Sequence, residues 1–241
     1  MGKFFPSVLH AADKLDRGYP PRTIAIGTMP SSTSAMAISP IGIVNAGHPQ
    51  AAAAQAMEVA SLIHVTDLGF CQDGAAAIAA AVAAALSPGA TVDAVLLAAV
   101  ENIKPWSGDE IRQLISDALV LARSSESFKD FRADYHQNFR KPIACDSRET
   151  VPAALAIVYL AEGDPWTAAV LGANFGRDAD TVACIAAAIC GALSGIDAGN
   201  EAKVRLLPTE CLAAQRRLAK QLVAARHAKA EAERRALANS I

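Results

Sequence analysis

Aromatic side chains are scarce in this chain, at 5% of residues, and charged ones make up only 19%. The first scarcity excludes a core built on large rings, and the second, beside a hydrophobic share of 52%, excludes a disordered chain. Alanine carries most of that share, so 241 residues suffice for a core of helices approaching closely over short side chains. The five cysteines are odd in number and form no CxxC pair; they read as reduced core thiols. No basic-then-apolar segment opens the chain, and the apolar runs 75–86 and 182–193 are too short and too alanine-rich to span a bilayer. The expectation is a soluble, cytoplasmic protein with no membrane partner. Net charge is only −2, and no stretch of lysine and arginine is interleaved with aromatics, which excludes a nucleic-acid footprint. Basic residues gather locally only over 216–235, on what should be a solvated helix face.

What is there is helical. Residues 1–34 form an irregular lead-in with one short helix near 7–15, followed by a glycine-, proline- and serine-rich stretch. A helical domain then runs over 35–207, and 208–241 forms a long amphipathic helix with an apolar stripe of Leu212, Leu218, Leu222 and Val223. Helices are expected over 35–45, 50–64, 73–86, 91–102, 108–123, 128–137, 149–161, 167–171, 178–194, 201–206 and 209–238, divided by turns such as Gly47-His48-Pro49 and Ser87-Pro88-Gly89. No segment reads as a strand. Ile111, Leu114, Ile115, Ala118, Leu119 and Ala122 recur at helical spacing and mark a one-sided helix. The 178–194 segment is apolar nearly all round and is expected to be the central helix, with its polar residues confined to the first turn. Gly191 and Gly195 stand at GxxxG spacing, which predicts close helix packing there.

The first turn of the 178–194 helix carries the chemistry. In NFGRDADT, residues 174–181, two carboxylates and a hydroxyl at Asp178, Asp180 and Thr181 follow a glycine-containing loop. Oxygen donors at that spacing can converge on a hard cation, and the electropositive helix start favours ionised carboxylates. The plainer account is an N-cap, with Asp178 bonding its own helix amides. The same pair of readings applies to Asp73 at the start of the 73–86 helix, where the cap is favoured. His64 reads either as a ligand contact or as a helix C-terminal residue. Cys145 has no histidine nearby in sequence and reads as inert.

The stretch from Gly172 to Thr181, with the alanine-glycine run to Gly195, resembles the C-terminal signature of the ADP-ribosylglycohydrolases, including the dinitrogenase-reductase-activating glycohydrolases. SSTSAMAISP over 31–40 resembles that family's serine- and methionine-containing loop, Asn45 to Pro49 the turn after the next helix, and ETVPAAL over 149–155 another helix start of the family. The resemblance implies an all-α, compact multi-helix orthogonal bundle. It also implies a magnesium-dependent hydrolase of ADP-ribosyl or related ribosyl glycosidic bonds, acting on an ADP-ribose-like molecule or an ADP-ribosylated protein. Asp178 and Asp180 would be the catalytic acids, Asp178, Asp180 and Thr181 the ligands of one or two Mg2+ ions, and Ser31, Ser34, Met36, Asn174 and Arg177 the substrate contacts.

The chain departs from that pattern in having no GDALG-like and no TDDT-like segment, so the expected domain is N-terminally truncated and lacks half of a dinuclear site. Ala37 stands where the family often has an arginine. Three accounts fit: a hydrolase, incomplete as a single chain; a non-catalytic binding or scaffold protein on the same fold; or one component of a two-chain enzyme. A homo-oligomer or a complementing chain is the corresponding partner.

Overall fold

The computed structural model describes residues 6–65, 68–196 and 198–238. Among them are thirteen α-helices and no strand, as the all-α expectation requires. In chain order they are α1 Pro6–Asp16, α2 Thr33–Ala37, α3 Ser39–Val44, α4 Pro49–Ser61, α5 Asp73–Ala85, α6 Val92–Glu101, α7 Asp109–Ser124, α8 Phe128–Asn138, α9 Ser147–Leu160, α10 Pro165–Ala173, α11 Ala179–Ser194, α12 Ala198–Val204 and α13 Thr209–Ala238. The expected 35–45 helix is two pieces hinged at Ile38, because Pro40 has no amide to continue a ladder and sits instead in the first turn of α3. A π-helical turn, Leu68–Gln72, runs directly into α5.

The central helix is α5, not α11. All thirteen residues of α5 are buried, and it touches α2, α3, α4, α6, α9 and α11. Its sequence DGAAAIAAAVAAA explains this, because side chains this short let neighbours close in from every direction. Gly42 of α3 lies so near that a Cβ there would stand 2.6 Å from that of Val82. By contrast α11 buries one face, Thr181, Val182, Ile185, Ala186, Ile189 and Cys190, against α5, α9 and α10, and leaves Cys184 exposed. The close approach on α11 is also not at the GxxxG pair. A Cβ at Gly191 or Gly195 would meet nothing, whereas one at Gly172 of α10 would stand 2.4 Å from the Ala183 Cα. Gly191 and Gly195 instead line an apolar groove of about 310 Å³ with Trp166, Ile196 and Leu207.

The sparse rings are concentrated. Phe128, Phe131, Tyr135 and Phe139 of α8 and its C-terminal end gather with Phe175, the Tyr135 and Phe139 rings stacking 4.3 Å apart and Tyr135 meeting Phe175 edge-on at 5.3 Å. The Tyr135 hydroxyl donates to the Glu149 carbonyl at 2.7 Å. This cluster anchors the residues just before the acid motif, so most of the core is alanine-built while its aromatic part lies beside the site. No helix among the described residues is long and apolar enough to cross a membrane.

Candidate active site

Asp178 occupies the N-cap position of α11, yet its side chain makes no capping bond to the helix. Its Oδ2 instead accepts the Ser32 hydroxyl at 3.1 Å, across 146 residues of sequence. Asp180 and Thr181 follow in the first turn, Asp180 exposed and Thr181 buried, and the Thr181 hydroxyl reaches the Met36 Sδ at 3.5 Å. The 31–37 segment and the DADT motif therefore meet face to face. Burial raises the Asp178 carboxyl above the usual aspartate value, bonds from the Thr181 and Ser32 hydroxyls pull it back, and the neighbouring Asp180 charge adds to the rise. The Cys145 thiol lies close enough to be pushed up in turn, first by burial and then by the Asp178 charge.

Ser31 and Ser34 turn the other way. Both are buried, and their hydroxyls bond the two ring nitrogens of the fully buried His64, at 3.2 Å to Nε2 and 2.9 Å to Nδ1. Ser147 donates to the Ser31 carbonyl at 2.9 Å and Gln72 to the His64 carbonyl at 2.7 Å, so this network fixes the 31–34 loop from beneath. Asn174 is exposed and closes α10, its side-chain amide donating to the Val170 carbonyl at 2.8 Å. Arg177 binds the buried Glu149 through two of its nitrogens and donates to the Lys141 carbonyl at 2.7 Å. Asp73, expected as a cap, is not at a free helix start. The π-helical turn precedes it, and its buried carboxylate accepts Ser107 Oγ at 2.5 Å and the Lys104 amide at 3.2 Å, holding the turn before α7.

The structure thus brings Asp178, Asp180, Thr181, Met36 and Ser32 together and holds Ser31, Ser34, Asn174 and Arg177 in other work. The donors around Asp178 are oxygens, which fits a hard divalent cation that completes its shell with water. Among the described residues, however, no group of three or more His, Cys, Asp or Glu side chains lies close enough together to hold a metal, so the carboxylates of this set are Asp178 and Asp180 alone.

The sequence profile of the ADP-ribosylglycohydrolase family matches residues 2–232. The chain belongs to the ADP-ribosylglycohydrolase family. The match runs from before α1 to a point within α13. The chain is also similar to the uncharacterized protein YegU of Escherichia coli (strain K12), 56% identical over 50 residues. That match spans 21% of this chain and 15% of YegU. In this glycohydrolase-family chain, two residues that matter to the geometry, Ser32 and Glu149, were not singled out by sequence as site residues. Nothing in a serine-rich loop says which hydroxyl meets Asp178, and Glu149 is 28 residues from the arginine it binds.

Proposed function

We propose that this chain hydrolyses ADP-ribosyl or closely related ribosyl glycosidic bonds, with one magnesium ion held by Asp178, Asp180 and Thr181. The observation that carries this reading is that Asp178, at a helix start, leaves the helix amides alone and takes a hydroxyl from the opposite loop. A capping aspartate serves its own helix; this one is oriented for something between two segments. Burial chiefly raises the Asp178 carboxyl and the Asp180 charge adds to the rise, so a cation held by these acids would favour their ionised forms. When bound, such an ion orients ribose hydroxyls and eases the activation of a water. The protein's own part is to hold the carboxylates. Ser32 and Thr181 fix the direction of Asp178, and the positive end of α11 favours the ionised acids. The negative charge of the two acids would stabilise the positive charge that develops on the ribose as the glycosidic bond breaks.

The test is incubation with ADP-ribosylated arginine or serine peptides and magnesium, alongside Asp178→Asn. The wild type should release ADP-ribose and the variant should lose roughly 100-fold or more in rate, the scale on which a preorganised charge acts. No release from either sample overturns the reading. Magnesium binding by calorimetry without release assigns a binding role on the same fold.

A further inference from the structure

We propose that the entrance to α9, residues 145–149, is a positioning hub that aims both halves of the site, with the Glu149–Arg177 pair as its main tie; the inference rests on the function proposed above. Three alternate residues of this segment hold the two loops of the site. The Cys145 carbonyl accepts the Ser32 amide at 2.7 Å. The Ser147 hydroxyl donates to the Ser31 carbonyl at 2.9 Å. Glu149 accepts from Arg177 Nε and Nη2 and from the Lys141 amide at 2.8 Å, and Arg177 returns a bond to the Lys141 carbonyl. Ser32 and Asp178 lie 146 residues apart, and both of their loops are tied to these five residues.

The tie on the Asp178 side works against the backbone. Gly176 has φ +94° and Arg177, which is not glycine, has φ +56°, a left-handed conformation that L-residues rarely adopt unless the surroundings enforce it. The enforcement is visible at each step: Arg132 donates to the Asn174 carbonyl at 2.7 Å, His136 Nε2 lies 2.8 Å from the Phe175 carbonyl, and Glu149 takes the Arg177 guanidinium in a two-point grip. The next residue is Asp178. Glu149 is 1% exposed, so it acts through Arg177 and not on a substrate. A buried ion pair is a weak source of net stability compared with apolar residues of similar size, but its bidentate geometry fixes direction, which a metal-ligating carboxylate requires.

The experiment compares the wild type with Arg177→Gly/Glu149→Gln, which removes the grip without leaving a buried charge unpaired and places glycine where positive φ is unstrained. Amide hydrogen exchange and ADP-ribose release are both read. The hub predicts that exchange over residues 174–181 speeds up at least tenfold, with the unfolding midpoint within a few degrees of wild type. It further predicts that kcat falls by roughly 100-fold, the cost of misplacing a reacting group by about 1 Å. Arg177→Lys, which keeps the charge and loses the fork, should fall between the two; it gives the same readouts if the double variant does not fold. Wild-type exchange over 174–181 overturns the proposal. So does faster exchange spread evenly over α4 to α11 with a lowered midpoint, which marks a purely structural pair. If the wild type itself releases no ADP-ribose, the proposed function falls, and the exchange data alone still decide the hub.

Discussion

Replacing Asp178 by asparagine should leave the protein as stable as before or more so at neutral pH, while removing its response to magnesium. The carboxyl is half-buried and raised in the folded protein, chiefly by desolvation. At neutral pH the folded state therefore carries an ionised group that the unfolded chain would ionise more readily. The sign follows: the wild type gains stability as pH falls through the raised value, and this gain is complete only below the ordinary aspartate value. Asparagine keeps the shape and the acceptor for Ser32 and removes the titration. One pKa unit corresponds to about 1.4 kcal/mol, but half the group is in water and the effect is screened, so under ~1 kcal/mol should survive. For a chain of this size that is a rise of at most about 2–4 °C in melting temperature. The gap between variant and wild type should close as pH falls toward the ordinary aspartate range. Magnesium at about 100 times its Kd should stabilise the wild type by about 2.7 kcal/mol and leave the variant unmoved. Thermal melts between neutrality and pH 4, with and without magnesium, decide it. A variant that loses more than about 1 kcal/mol at neutral pH would show that the ionised Asp178 carboxylate stabilises the fold, and would refute this reasoning.

Two further outcomes test the fold around the site. Gly172→Ala drives a methyl into the Ala183 backbone, which has no flexible end to yield, so α10 must lift from α11 at a cost of about 1–3 kcal/mol, measurable by urea denaturation. Ending the chain after Pro208 removes α13, most of which is exposed and which is tied to the body by Arg226 to the Ala46 carbonyl and by Lys229 to Asn45 and Gln55; circular dichroism should show the lost helix with a melting temperature lowered by only a few degrees.

The parts of this molecule that sequence discloses are those set within one turn or one helix. The stripe on α7 lies where its spacing puts it: Ile111, Ile115, Ala118, Leu119 and Ala122 are buried and Leu114 packs against them. The α13 bounds agree with the expected 209–238. The α10 helix starts two residues before the expected 167, since Pro165 reads as a turn signal in sequence although a proline after the capping Asp164 is equally suited to opening a helix. Why α5 and not α11 lies at the centre is a different matter. Both are apolar, and what distinguishes them is how many neighbours they must admit, for which a near-absence of large side chains is a better guide than hydrophobicity. The DADT motif was legible because its donors follow one another in the chain. Its aim was not, because aim is set by Ser32, Cys145, Ser147 and Glu149, whose partners lie far away in sequence and whose own residue types are unremarkable. The same division holds energetically. Oxygen donors attract a cation wherever they point, but only a carboxylate held against both a strained Arg177 and a fixed Ser32 keeps one direction, so activity in this family member should be more sensitive to the residues beneath the motif than their burial alone would suggest.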